Sequence, residues 1–435
     1  MLGDLQCNIL KSHGRDFAHH LFLQFTAPAG GVRAWLRGLA GTRVTSARTQ
    51  FEESLAFKAT GRKDAPIVAV LLSASGYRYL GLDPDEFRSR SFRDGMKHCG
   101  IDVVGAVLNT SNKDPDPSRW EAGFRGDIHA LVVLANDVES ALGLAVAAVT
   151  AEFAGVATVA AAEAGNTLRL NGGEPVEHFG YLDGRSNPAF TKSDMDKERQ
   201  REGDGVKVWD PSAPLSLVLV RDPFAAGGDA FGSFLVFRKL GQDIPAFNAR
   251  VADLAKDLAV PPALAGALVV GRFKDGTPVV RADAPGLGAQ NSFAFTEDGG
   301  GSKCPFHAHI RKVNPRGTTP LTSEKSERGR RIARRGIPYG KPIANAAPPA
   351  APTPRRHRAG CCSCASRPTS PSSSSSSSGC GSITRTSPAR SSRSRSSATR
   401  ATTRSSARTR TRASAGPRLG ATTTRAAGRP TSSRS

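Results

Sequence analysis

The sequence predicts an α+β fold of two similar modules followed by a tail of different character. Short apolar runs of strand length alternate with single helices, the same succession recurs in the second half, and the composition changes abruptly near Lys341. In the first half, Ala18–Phe25 (AHHLFLQF), the start of Ala65–Leu82 (APIVAVLLSASGYRYLGL) and Asp127–Asp137 (DIHALVVLAND) have strand patterns, the second running on into a helix. The helical spacing of Asp137–Phe153, with Asp137 as candidate N-cap, completes that half. In the second half, Ser216–Asp222 (SLVLVRD) and Gly232–Leu240 (GSFLVFRKL) are expected strands, and Ile244–Ala259 is an expected amphipathic helix. The run Asn171–Pro175 (NGGEP) suits a junction. Gly271–Pro320, rich in Gly, Pro and polar residues, reads as ordered loop of the kind that carries function.

The formal charge of +22 is unevenly placed. Residues 341–435 hold 18 Lys and Arg and no Asp or Glu, so subtracting that +18 from +22 leaves +4 for residues 1–340. A nearly balanced body does not support the polyanion-binding reading that a uniformly basic chain would invite. The tail has no Phe, Trp or Tyr and consists largely of Ser, Arg, Thr, Ala, Pro and Gly. It cannot bury enough apolar surface to offset the entropy of ordering, so it is expected to be disordered. Without interleaved aromatics it is also a poor nucleic-acid arm, and no nucleic-acid partner is expected. Of the seven cysteines only Cys7, Cys99 and Cys304 lie in the body, too few for a disulfide framework and suited to a reducing compartment. No basic leader with an apolar run, twin-Arg signal or long apolar stretch is present, so the expectation is a cytoplasmic protein with no membrane partner.

Three segments carry candidate chemistry. Phe179–Phe190 (FGYLDGRSNPAF) sets Asp183 between two glycines in G-x-x-D-G followed by Asn-Pro. That is turn chemistry with a carboxylate at its apex, and on its own it reads first as a structural Asx-turn. Cys304–Arg316 (CPFHAHIRKVNPR) holds His307 and His309 two residues apart, so in extended chain at most one faces a given pocket. The body offers no second Cys/His pair for a closed zinc site. A single inward histidine is a good axial ligand for haem iron, though alone it reads as a satisfied loop histidine. Gly329–Gly340 (GRRIARRGIPYG), with Arg328, places five arginines within eight residues. Most are expected as solvated charge or partners of acids, and one, if buried, as a strong anion stabiliser.

Taken together and in this order, the three segments resemble the dye-decolorising peroxidase family of haem enzymes. Asp4–Arg15 (DLQCNILKSHGR) is similar to that family's N-terminal D-x-Q-G-N-I-L-K-G-H-G-R, with Cys7 and Ser12 in place of glycines, and GSFLVFRKLGQDI matches as well. The resemblance covers about residues 1–340. It implies two ferredoxin-like modules of antiparallel sheets with helices, residues 1–165 and 166–340, with one haem b per chain in the second. It implies His309 as the proximal iron ligand, Asp183 as distal acid/base, Arg334 as charge stabiliser, and Arg272 in VVGRFK as an arginine approaching a haem propionate. The implied function is reduction of hydrogen peroxide with oxidation of dyes, phenols or other bulky organic electron donors. Trp120, Trp209 and Tyr339 are candidate electron relays, and a homo-oligomer is compatible with the family. A carboxylate base, with its low reference pKa, suits acid conditions better than a distal histidine would.

Beyond Gly340 the resemblance stops in the frame as written. Ala359–Ser378, read one frame away, is compatible with R-L-L-F-M-C-F-Q-A-D-I-A-Q-Q-F-E-F-L-Q, similar to the family's hydrophobic strand and helix beside the haem. Gly379–Pro388 continues in kind. The Ser, Arg, Thr and Ala bias is then that of an out-of-frame reading of GC-rich DNA, the frame changing between about Lys341 and Ala359. On that reading the second module lacks a core strand and helix. The alternative function is then a haem-binding but catalytically impaired or degenerate product.

Overall fold

The computed structural model describes residues 1–60, 65–98, 115–169, 173–202, 206, 208–225, 230–319, 323–341 and 360–366. Met1–Ile383 forms one compact unit. Its first sheet contains Phe17–Phe25 (β1), Ile67–Leu72 (β2), Ala130–Asn136 (β3) and Ala157–Asn166 (β4), in the order β2-β3-β1-β4. Every neighbouring pair is antiparallel. Helices Ala29–Thr42 and Ala47–Thr60 connect β1 to β2, and Glu139–Glu152 connects β3 to β4. This is the ferredoxin-like arrangement expected for the first module.

Side-chain alternation gives the sheet two buried faces. Leu21, Leu23 and Phe25 of β1 join Val132 and Leu134 of β3 against Trp35 of the first helix. Ala18 and Phe22, with Leu131 and Val133, face the other way and meet Phe237, Ile337 and Tyr339. β3 is buried along its whole length because both faces are covered. Each such Leu, Val or Phe contributes about 1.5–3 kcal/mol by leaving water. The expected cap at Asp137 is not used: the helix starts at Glu139 behind Val138, without a side-chain cap. The Asp137 carboxylate accepts from Arg15 Nη1 at 3.0 Å and from the Asp16 backbone N–H at 3.1 Å. A buried guanidinium has the stronger need for a counter-charge.

Along the chain between the strands of the two sheets come two short ribbons, Leu168–Arg169 (β5) with Pro175–Val176 (β6), and Val220–Arg221 (β7) with Phe231–Gly232 (β8). The strand expected over Ser216–Asp222 is thus reduced to two residues, preceded by a 3-10 turn at Leu215–Leu217. Its apolar pattern serves a different contact, since Val218 is fully buried with Leu5, Ile9 and Leu10 of the N-terminal segment. Gly232–Leu240 meets expectation as β8 and Leu235–Gly241 (β9), and the following helix, Ile244–Asp257, is capped by Asp243.

The second sheet is completed by Ala333–Arg334 (β10), Ile337–Tyr339 (β11) and Gly360–Ser366 (β12). β12 lies in the middle, antiparallel to β9 on one side and to β10 and β11 on the other. This corrects the expectation that the tail is wholly disordered and that the module lacks this core strand. Ladder hydrogen bonds come from the backbone whatever the side chains, and a slot with partners on both sides pairs both edges of an inserted strand. Residues 342–359 and 367–435, including the rest of the expected tail and the frame-shifted helix, lie outside the described residues, as do Asn171 and Gly172 of the NGGEP junction. The two sheets touch at Gly165 of β4, where a Cβ would overlap the Ile337 side chain. Among the described residues no helix is long and apolar enough to cross a membrane.

His20 of β1 lies in this inter-sheet layer, 2% exposed, with its ring 5.8 Å from that of Phe237 and its Nδ1 without a hydrogen-bond partner. Burial pushes its pKa down to about 4. The unfolded chain therefore binds a proton that the folded one refuses. The stabilising contribution is complete above the unfolded pKa of about 6.5 and is lost as pH falls toward 4. Between pH 7 and pH 5 this histidine is expected to account for ~2 kcal/mol of lost unfolding free energy. Urea titrations at the two pH values check this, since His20→Gln should shrink the difference by that amount.

Candidate active site

The turn bearing Asp183 is held from several sides. Gly180 and Gly184 have φ of +88° and +72°, in the left-handed region that side chains rarely adopt. The Glu177 carboxylate accepts from the backbone N–H groups of Phe179 and Tyr181 at 2.9 and 3.0 Å, and the Asp183 N–H donates to the Pro175 carbonyl at 2.9 Å. Arg185 is clamped by Glu198 at 2.8 Å and Glu202 at 2.6 Å, on the helix Lys192–Glu202. The Asp183 carboxylate itself makes no Asx-turn bond. It forms an ion pair with the Arg334 guanidinium, the two side chains being 17% and 24% exposed.

Arg334 reaches this carboxylate from β10. Its backbone N–H donates to Asn187 Oδ1 at 2.9 Å, and Asn187 Nδ2 donates to its carbonyl at 3.3 Å. The next residue, Arg335, is buried and donates to the carbonyls of Asn8 at 2.9 Å, Ile9 at 2.6 Å and Arg334 at 3.1 Å. The N-terminal motif thus acts as a buttress for the strand carrying Arg334. Arg331 is buried too and donates to the carbonyls of Pro211 and Ser212. Three of the five arginines meet the expectation of solvated charge or pairing with acids, Arg330 being exposed, Arg328 pairing with Asp210 and Glu324, and Arg334 with Asp183, whereas Arg331 and Arg335 have their guanidinium forks satisfied by backbone carbonyls.

His309 opens the short helix His309–Val313. The preceding loop winds around Asp298, which accepts from the N–H groups of Lys303 and Cys304 at 3.1 and 2.8 Å and from Arg311 Nη1 at 2.9 Å. Arg311, fully buried, also donates to the Cys304 carbonyl at 2.6 Å and lies between the rings of Phe295 and Phe306. The arginine of H-I-R is therefore an internal brace, leaving the histidine at the surface of the braced segment. No described residue hydrogen-bonds the His309 ring. Solvent reaches that ring, yet surrounding protein pushes its pKa below the usual imidazole value, the combination expected of a side chain lining a concavity.

Arg272 connects the two halves of the site. It is 5% exposed and donates through Nη1 to the carbonyls of Gly276 at 2.7 Å and Gln290 at 2.6 Å. Nη2 donates to Asn291 Oδ1 at 3.3 Å and to Ser186 Oγ at 3.5 Å, the latter on the Asp183 turn. Gly271 beside it has φ +94°, and a Cβ there would overlap the Ile310 side chain next to His309. Asp183 and Arg334 are thus in direct contact, Arg272 is tied to their turn, and His309 is joined to Arg272 through the packing of Ile310 on Gly271. Asn187, Arg335 and Gly271 were not singled out by sequence. The Asn-Pro step and the doubled arginine were the visible signals for the first two, and Gly271 carried none beyond preceding Arg272.

The chain is 42% identical over 351 residues to a multifunctional dye peroxidase of an Amycolatopsis species, the match covering 78% of this chain and 72% of that protein. It is 32% identical over 314 residues to a dye-decolorizing peroxidase of Mycetinis scorodonius, covering 65% of this chain and 55% of the fungal protein, so it spans little more than half of that relative's length. The crystal structure of a DyP-type peroxidase from an Anabaena species superposes with a TM-score of 0.77 at 39% identity, over 84% of this chain and 77% of that one. No protein-family model matches. The ferredoxin-like first sheet and these likenesses lead to one assignment: the chain belongs to the dye-decolorising peroxidase family, whose members are haem enzymes and oxidoreductases acting on peroxide.

Proposed function

We propose that this chain is a haem-dependent peroxidase that reduces hydrogen peroxide and oxidises a bulky organic electron donor such as a dye or a phenol. The observation that carries the reading is the ion pair of Asp183 and Arg334, from segments far apart in sequence, in one unit with His309, whose ring is hydrogen-bonded by no described residue. The residues fit one haem b per chain. A neutral imidazole is the form that ligates iron, and burial favours that form at His309. Four of the five Arg272 N–H donors meet protein acceptors, so this residue acts chiefly as a brace, with its Nε–H left for a propionate.

Haem, when bound, supplies the two-electron oxidising chemistry. The protein's part is proton and charge placement. The Asp183 carboxylate takes the proton from one peroxide oxygen and returns it to the other, so that the second oxygen leaves as water. The Arg334 guanidinium keeps Asp183 in its ionised, proton-accepting form and places fixed positive charge where negative charge develops as the O–O bond lengthens. Of the candidate relays, Trp209 is buried beneath three guanidinium groups, those of Arg316 and Arg328 at 5.0 Å and Arg331 at 5.9 Å, and Tyr339 lies 5.2 Å from the Lys239 ammonium. Nearby cations oppose oxidation of a ring. Trp120 is half-buried, has its indole N–H on the Pro115 carbonyl at 3.0 Å and is the better relay.

The test is to load the purified chain with one equivalent of haem and follow peroxide-dependent dye oxidation. Turnover saturating in both substrates is expected. A full Soret band without turnover selects the second reading, a haem-binding but impaired product. That reading is favoured by β12, whose letters GCCSCAS replace the apolar run usual in a strand paired on both sides. Resequencing the coding DNA across this strand decides whether the frame as written is the gene's own.

A further inference from the structure

We infer that Asn187 is a positioning residue for Arg334, holding the distal arginine in register with Asp183; the inference rests on the peroxidase reading proposed above. The Asn187 carboxamide accepts from the Arg334 N–H at 2.9 Å and donates to the Arg334 carbonyl at 3.3 Å. It therefore pairs with both backbone groups of one residue, as a neighbouring strand would. Asn187 belongs to the same turn as Asp183, four positions on, so a single side chain sets the separation between the backbone that carries the carboxylate and the backbone that carries the guanidinium. An ion pair between two partly exposed side chains is weakly positioned by its own attraction, since solvent screens it and both side chains lose rotamer freedom.

Two neighbours make the clamp stiff. Pro188 restricts Asn187 to extended backbone, and both Pro188 and Ala189 are buried. On the far side, Arg335 ties the strand to the Asn8 and Ile9 carbonyls. The clamp then leaves the Arg334 side chain only its own torsions, which the Asp183 carboxylate settles. A purely structural asparagine would alter stability without altering how an anion in the distal space is held, and that difference is measurable.

The experiment is fluoride binding to the ferric haem-loaded protein, which reports the distal positive charge without requiring turnover, in a double-mutant cycle. Asn187→Leu, of similar size but lacking both polar atoms, is expected to weaken fluoride binding on the order of 10-fold, as for loss of one charge-assisted hydrogen bond. Arg334→Leu should weaken it at least as much, and the double variant should bind no worse than Arg334→Leu alone. An equal loss from Asn187→Leu in both backgrounds overturns the inference, as does an unchanged affinity in Asn187→Leu when Arg334→Leu has lost it. If Arg334→Leu binds fluoride normally, both the arginine's role and this inference fall. Should Asn187→Leu not fold, Asn187→Asp, which keeps the acceptor and loses the donor, is put through the same cycle and read by the same criteria.

Discussion

His309→Ala should yield a folded chain that no longer retains haem. The ring makes no hydrogen bond to a described residue, and the segment that presents it is held by Arg311 and Asp298, neither of which the substitution touches. Alanine is also a good first residue for the short helix His309–Val313. The effect on folding should therefore stay within about 0.5 kcal/mol, the usual range for a surface change. Haem affinity should fall more than about 100-fold, since loss of a ligand's hydrogen-bond partner alone typically costs 10–100-fold. The check is Soret absorbance per chain after loading with one equivalent of haem and desalting, alongside a thermal melt by circular dichroism. A full Soret band in His309→Ala, with loss of the band in His307→Ala, would move the ligand assignment to His307.

The first module was legible because its information is periodic. β1 and β3 alternate or saturate with apolar residues as strands covered on both faces must, and three strands and the helix Glu139–Glu152 were read from such patterns, whereas β4 and the helices Ala29–Thr42 and Ala47–Thr60 were not anticipated. What escaped was set by contacts distant in sequence. Nothing near Asp137 announces that it will be taken by Arg15 rather than by the helix behind it. Val218 and Leu219 read as strand until the N-terminal segment is seen lying across them. The site was legible in a different way. Asp183, His309 and Arg334 each had a bland reading alone, and only their order along the chain and the family resemblance singled them out. Their supports were less visible, because a carbonyl acceptor such as those of Asn8, Ile9 or Gly276 has no letter of its own. β12 was misjudged for the opposite reason: its side chains argue against order, whereas its pairing is made by backbone.

Asp183→Ala should lower kcat/KM for peroxide by about 10²–10⁴-fold, the usual worth of a positioned acid/base, while the Soret band persists. Arg334→Leu should cost about 10²–10³-fold, the range for loss of one preorganised charge donor. Stability separates these effects from damage to the fold. The ion pair joins side chains 17% and 24% exposed, so breaking it in either variant should cost no more than about 1 kcal/mol. A melt that barely moves beside a rate constant that collapses is the signature of chemistry. The double variant should be far less impaired than the product of the single losses, because without Asp183 there is no proton shuttle for Arg334 to keep ionised. Stopped-flow mixing of each haem-loaded variant with peroxide measures all three. Normal peroxide kinetics in Asp183→Ala would remove the carboxylate from the reaction and leave its pairing with Arg334 a matter of folding alone. Multiplicative losses in the double variant would mean that the two groups act on peroxide independently, and that their contact serves some purpose other than the shared proton transfer.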